Sequence, residues 1–454
     1  MRMVSERWSS KLAFYLAAIG AAVGLGSIWR FPYLAGANGG SAFVFVFILA
    51  CAAIATPLLV AEFVIGRRSR RNPAEAAGEV AASFGRSRGW NAIGVLGTVA
   101  IIVIMSYYTV IAGWVLAYAW KCASGELTAL PRAEIGRHFH EFLASPLRVG
   151  AWHLVFIVLV GSISARGVNR GIELANKIRA PGLLILLLIL VAYALTTGDV
   201  RHGLAFAFAP DFGRLSANVV LAAIGQAFFA TGVGSAMMIA YGAYVPRGAS
   251  LVRAALVISS AIVLVSLLAT VVIFPLVYRY GLNPAQGAEL VFNVLPMAFA
   301  AMPGGRIVGT LFFLLLVLAA LTPSLAGLEP VVAWLTQRRG LSRAYASLVA
   351  VTGIWMLGIG SVLSFNVWAH WYPLNRIAGL HNMTVFDTLD FVSSNVMLPV
   401  GALLTCILVG WRLPRSLGAA ELPEETVGTR RFVLLLLRYL CPIGIAAVLV
   451  AALV

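Results

Sequence analysis

Residues 24–33 of the chain read Gly-Leu-Gly-Ser-Ile-Trp-Arg-Phe-Pro-Tyr, and they lie in a largely apolar run from residue 11 to residue 34. A run of this length can cross a lipid bilayer as a helix. Glycines weaken a helix, however, and an arginine such as Arg30 is costly in hydrocarbon. The sequence therefore predicts a membrane-spanning helix that is interrupted within the bilayer.

The composition excludes a water-soluble globular protein. The 454 residues are 61% hydrophobic and only 11% charged, with a mean hydropathy of +0.93, whereas soluble domains carry roughly a quarter charged residues. Applying the length requirement for a membrane helix predicts eleven spans. Numbered 1 to 11 in chain order, they are residues 11–34, 41–66, 90–121, 149–166, 176–197, 217–241, 251–280, 306–337, 342–359, 387–411 and 431–453. We expect an all-α polytopic membrane protein.

Positive charge is distributed unevenly between the two sides of the predicted spans. Of the 33 Lys and Arg residues, 22 fall on the side of the N-terminus and 9 on the other side. Loops rich in Lys and Arg face the cytoplasm. We therefore expect a cytoplasmic N-terminus and, with eleven spans, a C-terminus outside. Topology thus accounts for the net charge of +16, and nucleic acid is not needed as a partner.

A second glycine-rich stretch lies in span 6, at Gly225, Gly232 and Gly234, at the same depth as Gly20, Gly24 and Gly26 in span 1. Each stretch opens a group of five spans, residues 11–197 and 217–411, and residues 431–453 remain as an extra span. Matching interrupted helices in two halves indicate an inverted repeat with a midplane binding site. Close helix packing is the alternative, because small residues four apart also pack helices together.

Five ionisable residues within predicted spans are candidates for a transport pathway or for pairing, the usual roles of such residues in a membrane. They are Arg30, Glu62, Glu329, Asp390 and Arg438. Arg30 and Asp390 are both predicted near the outer ends of their spans. We expect them to form either an external gate or a structural salt bridge.

Enzymatic motifs are missing from the spans. No span carries a Ser/His/Asp or HExxH-type arrangement, and all six His lie in loops or near span ends. The pair His138 and His140 lacks further metal ligands nearby and is expected to be an ordinary loop feature. We therefore expect neither an enzyme nor a resident cofactor.

Several motifs together resemble the neurotransmitter:sodium symporter family. The likeness begins with residues 24–33 and continues through Asn38-Gly39-Gly40-Ser41-Ala42-Phe43. Further similar positions are Pro57 to Glu62, Gly66-Arg67, Tyr107-Tyr108, residues 225–229, Leu321-Thr322, Glu329-Pro330 and Asp390. The resemblance covers nearly the whole chain and implies a LeuT-type fold, in which spans 1 and 6 are discontinuous and form two five-helix repeats. The chain would then be a single transmembrane transport domain, residues 1–454, in a bacterial inner membrane.

The resemblance also implies a binding site for a small molecule. Tyr108 would hydrogen-bond the carboxylate of an amino acid, and Phe229 would cover it beneath a gate of Arg30 and Asp390. Gly24 occupies the position where monoamine carriers have an Asp, so an amino acid is the expected cargo. Its side chain would face mostly small residues, which predicts room for a large apolar or aromatic group. The full expected substrate site comprises Ala21, Ala22, Leu25, Gly26, Ile104, Tyr108, Phe229, Ala230, Gly232, Ser235 and Gly327.

The family's first sodium site is expected to be degenerate here. Its polar side chains correspond to Ser27, Ala230 and Ile262, which leaves Ser27 and the carbonyl of Ala22 as protein ligands besides Ala230 and the substrate. The chloride positions of eukaryotic relatives correspond to Phe47, Gln226, Ala230, Ile262 and Ser266. We therefore expect weak or absent sodium there and no chloride dependence.

A second sodium site is the expected coupling site. The resemblance places it at the carbonyls of Gly20, Val23 and Ala319 and the hydroxyl of Thr322, with Pro323 replacing a second hydroxyl. We expect an amino acid transporter that works by alternating access with at most one Na⁺ per cycle. Proton coupling through Glu62 or Glu329, exchange without any ion, and a transporter-like amino acid sensor remain alternatives. Oligomeric state is left open.

Overall fold

The computed structural model describes residues 11–246, 248–285, 290–376 and 381–453. These residues form helices joined by turns and loops, and no strand occurs among them. Nine helices are apolar and long enough to cross a membrane within the described part of the chain. They run Ser41–Ser69, Arg88–Ser124, Pro146–Ala165, Gly171–Thr197, Leu251–Arg279, Gly305–Arg339, Arg343–Leu363, Val385–Arg412 and Val427–Ala452.

Spans 1 and 6 are each built from two helical halves. In span 1 the segments Phe14–Ala22 and Gly26–Ala37 meet at an angle of 47°. In span 6 the halves are Ala217–Thr231 and Met237–Ala243. Within the described residues, nine of the eleven predicted spans are thus continuous helices long enough to cross a membrane, span 1 reaches that length as a bent pair, and span 6 is present as two shorter halves.

The breaks occupy fewer glycine positions than the sequence suggested. In span 1 the helix ends at Ala22, so Gly20 lies inside its last turn. In span 6 the break covers Gly232 and Gly234, whereas Gly225 lies within the first half, with nothing close to where its Cβ would be. Gly20 and Gly225 therefore belong to helices and do not interrupt them.

Backbone geometry explains why span 6 stops where it does. Gly232 and Gly234 have φ of +65° and +84°, and Ala236 has φ of +61°. Positive φ is easy for glycine but costs an L-residue such as alanine about 1–2 kcal/mol. The surrounding structure thus holds the break in a strained conformation, which is typical of binding sites.

Spans 3 and 8 are the long helices against which the first break packs. A Cβ on Gly24 would lie 2.4 Å from Cγ of Pro323 in span 8 and 3.2 Å from the hydroxyl oxygen of Tyr108 in span 3. The backbone at Gly24 thus lies closer to the side chains of Pro323 and Tyr108 than any residue larger than glycine would allow. Spans 3 and 8 therefore fix the position of the interrupted stretch.

Several short helices lie between the spans, and none was predicted. They are Pro73–Ala82, Arg132–Leu143, Val200–Phe208, Leu295–Ala301 and Arg415–Glu421. Their apolar faces are too short to cross a bilayer.

Within Arg132–Leu143, His138 lies against Lys121 and 3.0 Å from Oε1 of Glu126. Partial burial and the Lys121 charge lower the pKa of His138 below its usual value, and no metal-binding cluster occurs in the described ranges.

Candidate substrate and ion sites

The start of the second half of span 1 packs against the first half of span 6. A Cβ on Gly26 would lie 3.1 Å from two ring carbons of Phe229, so only glycine allows this approach. The side-chain amide of Gln226 donates to the carbonyl oxygen of Gly26 at 2.7 Å. Residues from the first half of span 6 therefore seal one side of the break in span 1.

A cavity of about 50 Å³ lies between the breaks and span 3. By the same measure a water needs about 10–15 Å³, so the cavity has room for roughly four waters. It is lined by Ala21, Ala22, Gly24, Gly26, Ile101, Ile104, Met105, Tyr108, Phe229, Ala230, Gly232, Ser235, Met237, Pro323 and Leu398. Nine of the eleven residues expected at the substrate site are in this lining.

The other two expected residues lie outside the lining. Leu25 is buried, and its backbone N–H donates to the hydroxyl of Tyr108 at 3.4 Å. Gly327 lies one layer back, where a Cβ would meet Ile101 and Met105 at 3.0–3.1 Å. Gly327 thus supports the wall of the cavity and does not face its interior, because the larger side chains of span 3 stand between them.

Sequence reasoning missed the two methionines of the lining. A Cβ on Gly232 would lie 2.5 Å from the terminal methyl of Met237, so this side chain fills the space beside the second break. Methionine is flexible and adapts its shape to what it contacts. Met105 and Met237 thus bound the cavity with side chains that can rearrange.

The cavity lining combines a few polar groups with many apolar side chains. The Tyr108 hydroxyl and the backbone of the first break are among the polar groups. Ser235 directs its own hydroxyl to the carbonyl of Gly232, 2.5 Å away. Amide groups at an interrupted helix can bind an anionic group such as a carboxylate.

Arg30 and Asp390, expected to form either a gate or a structural salt bridge, are paired in the structure. A guanidinium nitrogen of Arg30 lies 3.5 Å from a carboxylate oxygen of Asp390, and the guanidinium sits 4.1 Å from the centre of the Phe229 ring. Hydroxyls of Tyr107 and Ser394 donate to the same oxygen of Asp390, each at 3.0 Å. The guanidinium of Arg30 thus links the ion pair to Phe229, which lines the cavity.

Both carboxylates considered for proton coupling have partners. Glu62 accepts from the backbone N–H of Gly234 at 2.6 Å and so holds the break in span 6. Glu329 accepts from the Tyr244 hydroxyl at 2.6 Å and forms a two-point pair with Arg343, its shorter contact being 2.6 Å. Arg438 likewise donates to the carbonyl of Gly410 at 2.5 Å.

The residues at the first sodium position do not form a complete set of oxygen ligands. Ser27 is buried, and its hydroxyl has no hydrogen-bond partner within the described part of the chain. Ala230 and Ile262, which are also buried, contribute no side-chain oxygen. The chain therefore lacks most of the donors that a cation needs at this position.

The residues at the second sodium position surround an arginine that the sequence analysis did not single out. A Cβ on Gly20 would meet Thr322 at 2.6 Å and Asn176 at 3.5 Å, and one on Gly24 would lie 3.5 Å from the carbonyl oxygen of Ala319. Arg179, from span 5, donates to Asn176 and to the Thr322 hydroxyl. Arg179 lies inside the predicted span 176–197 but was assigned to the positive charge of the inner loop. An arginine within an apolar run is a candidate functional residue, and this position is the signal that could have identified Arg179.

An all-helical chain with many membrane spans, two of them interrupted around a covered midplane cavity, has the architecture of a secondary transporter. Such proteins move a bound molecule across the membrane and do not transform it chemically.

Comparisons with known proteins identify the kind of transporter. The model of the sodium:neurotransmitter symporter family matches residues 5–141 and 139–454. An uncharacterized sodium-dependent transporter, YhdH of Bacillus subtilis, is 36% identical over 445 residues, which cover 97% of this chain and 96% of that protein. The mouse sodium-dependent neutral amino acid transporter B(0)AT2 is 28% identical over 325 residues, 64% of this chain and 44% of that protein.

Among solved structures, the crystal structure of MhsT in complex with L-phenylalanine superimposes with a TM-score of 0.90. The two chains are 39% identical, and the match covers 99% of this chain and 100% of MhsT. The chain belongs to the sodium:neurotransmitter symporter family. It is a multi-pass membrane transporter with the predicted LeuT-type fold, it is not an enzyme, and sodium is the coupling ion that its family implies.

Proposed function

We propose that the protein imports a neutral amino acid with a large apolar or aromatic side chain by alternating access. The observation that carries this proposal is the cavity between the two breaks, whose lining combines Tyr108 and interrupted backbone with apolar side chains. An amino acid zwitterion with an apolar side chain would match both the polar groups and the apolar side chains of this lining. The relation to MhsT, solved with L-phenylalanine, supports the same substrate class.

The size of the substrate follows from how the cavity can expand. Its present volume of about 50 Å³ is smaller than an aromatic amino acid requires. Six of the fifteen lining residues are alanine or glycine, however, and the larger side chains that reduce the volume include Met105 and Met237. Because methionine adapts readily, we propose that a large apolar side chain enters by displacing these two residues while Phe229 closes over it.

We propose sodium as the coupling ion, with at most one Na⁺ per cycle at the second site formed by Gly20, Val23, Ala319 and Thr322. The first site retains only Ser27 as a side-chain ligand, and chloride is not required, because Ala230 and Ile262 offer no polar group. Moving one positive charge inward with a zwitterion adds about 2.3 kcal/mol per 100 mV to the driving force.

The proposed orientation is that of an inner-membrane importer with a cytoplasmic N-terminus and an external C-terminus. The excess of Lys and Arg on one side supports it. The Arg30–Asp390 gate would then close the outer side. Residues 11–197 and 217–411 would be the two repeats that move against each other.

Uptake into proteoliposomes tests the proposal. Labelled L-phenylalanine should accumulate when sodium is present outside, and replacing sodium by choline at constant pH should reduce accumulation strongly. Unchanged uptake in choline would reject sodium coupling and favour exchange or proton coupling. Saturable binding without uptake would identify a sensor, and neither binding nor uptake of any neutral amino acid would reject the proposed function.

A further inference from the structure

Arg179 places a positive charge at the meeting point of spans 1, 5 and 8. Its guanidinium donates to the side-chain oxygen of Asn176 at 2.7 Å and also to the hydroxyl of Thr322. Arg179 is only 8% exposed and Asn176 only 2%. The guanidinium is thus enclosed by the protein and bound by oxygens, as a small cation would be.

The buried charge lacks the partner that such a group normally has. No carboxylate of the described ranges forms an ion pair with Arg179, and two of its nitrogens, Nε and Nη1, are buried without a hydrogen-bond partner there. Buried charges are usually paired because desolvation is costly. Something other than an acidic side chain must therefore stabilise the guanidinium.

The end of a half-helix lies beside the two acceptors of the guanidinium. Asn176 and Thr322 both pack against Gly20, which lies in the last turn of the first half of span 1, Lys11–Ala22. The last carbonyls of a helix have no partner within it and carry partial negative charge. A cation at Asn176 and Thr322 therefore lies close to the negative end of the interrupted helix.

A sodium ion and the guanidinium cannot both occupy this place. Thr322 is the only side-chain hydroxyl of the proposed second sodium site, and Arg179 uses it. Two positive charges a few Å apart in a low-dielectric interior repel strongly. Arg179 lies about two helical turns from the start of its span, Gly171–Thr197, near the end that faces the cytoplasm in the proposed orientation. A long side chain at that depth can extend toward water when it is displaced.

We propose that the guanidinium of Arg179 is a tethered cation that competes with sodium for the site at Thr322. The inference rests on the proposed function, because it assumes that this site couples transport. Arg179 occupies the site while sodium is absent, and sodium binds only when the side chain swings away. The sodium affinity of the transporter is therefore set by Arg179 as well as by the ligands themselves.

The test measures sodium binding without transport. The full-length protein is purified in detergent, and its thermal stability is followed as Na⁺ replaces choline at constant ionic strength. Removing the competing charge with Arg179→Gln should lower the Na⁺ concentration for half-maximal stabilisation at least tenfold. The exposed Arg166, at the end of span 4, provides the control: Arg166→Gln should behave like the unmodified protein. A half-maximal concentration in Arg179→Gln that is unchanged or higher would overturn the proposal, because an arginine with only a structural role would not oppose sodium.

Arg179→Lys keeps the test decisive if the uncharged variant does not fold. Lysine retains the charge but cannot reproduce the planar guanidinium contacts to two acceptors. It should compete less well and give a half-maximal Na⁺ concentration below that of the unmodified protein. A value equal to or above the unmodified one would count against competition.

Binding of labelled L-phenylalanine in the same samples separates this inference from the proposed function. If the unmodified protein binds no neutral amino acid, the proposed function fails whatever sodium does. If it binds the amino acid but the Arg179 variants leave sodium affinity unchanged, only the competition is rejected.

Discussion

We expect recognition of the substrate carboxylate to depend most directly on Tyr108. Its hydroxyl faces the cavity beside the first break and is bonded to the backbone N–H of Leu25. The family resemblance singled out Tyr108 for the substrate site, and the structure places it in the cavity wall. The neighbouring methionines could not be predicted in the same way, because which side chain fills a gap depends on packing between distant spans.

Replacing Tyr108 by phenylalanine should weaken amino acid binding about 10- to 100-fold. A hydrogen bond to a charged group contributes about 1.5–3 kcal/mol, and each 1.4 kcal/mol is a factor of ten. Equilibrium binding of labelled L-phenylalanine measures the change. Tyr118→Phe is the matched control, because Tyr118 is a buried tyrosine of the same helix outside the cavity lining, and its hydroxyl has no partner within the described residues. Equal effects of the two substitutions would contradict a carboxylate-binding role for Tyr108.

Asp390 should control how fast the substrate leaves toward the outside. Asp390→Asn removes the charge that faces Arg30 and should speed dissociation of bound amino acid about 2- to 5-fold, as expected for a partly exposed ion pair. The rate is measured by dilution into unlabelled substrate. Asp387→Asn removes a charge from the same helix away from Arg30, and it should leave the rate unchanged. Slower or unchanged dissociation in Asp390→Asn would mean that the pair is structural.

At the scale of the helical element, the sequence predicted that spans 1 and 6 are interrupted, but not which residues each break includes. Glycine content at matching depths in two halves indicated where helices would be interrupted. It did not distinguish glycines that break a helix from Gly20 and Gly225, which lie inside one. That distinction depends on tertiary contacts, since Gly20 is required by the approach of Thr322 and Gly234 by the approach of Leu398.

Substituting the two span 6 glycines should have opposite effects. Gly234→Ala introduces a Cβ at a φ of +84° and only 2.2 Å from the carbonyl oxygen of Leu398. We expect a loss of about 2–3 kcal/mol or more in folding stability. Gly225→Ala, where the Cβ meets open space, should be neutral or stabilising by up to about 1 kcal/mol. Melting temperatures in detergent compare the two variants, and a tolerated Gly234→Ala would contradict the described break.

At the scale of the whole molecule, the hydropathy pattern and the family motifs were sufficient for the LeuT-type fold and the transporter class. The helix bounds differ from prediction by a few residues, and the short helices between spans were missed because their patterns are too brief to stand out. Arg179 was overlooked for a different reason: the count of positive charges by loop treated it as a topology signal, although it lies buried at a proposed ion site.

The proposed orientation can be tested with introduced cysteines. The four native cysteines are buried, so a membrane-impermeant maleimide should react mainly with new exposed sites. Glu141→Cys, before span 4, should be labelled in intact cells. Glu424→Cys, between spans 10 and 11, should be labelled only after permeabilisation, and the reverse pattern would invert the assigned topology.

The most direct test of the account is equilibrium binding of a panel of amino acids to the purified protein. If the two interrupted helices hold a zwitterion beside an adaptable apolar wall, the protein should bind large apolar or aromatic amino acids such as phenylalanine, leucine or tryptophan. Their binding should saturate, and they should compete with one another. Glycine and alanine should bind more weakly, because they leave the apolar wall unfilled. Tighter binding of glycine or alanine, or no saturable binding of any neutral amino acid, would contradict it.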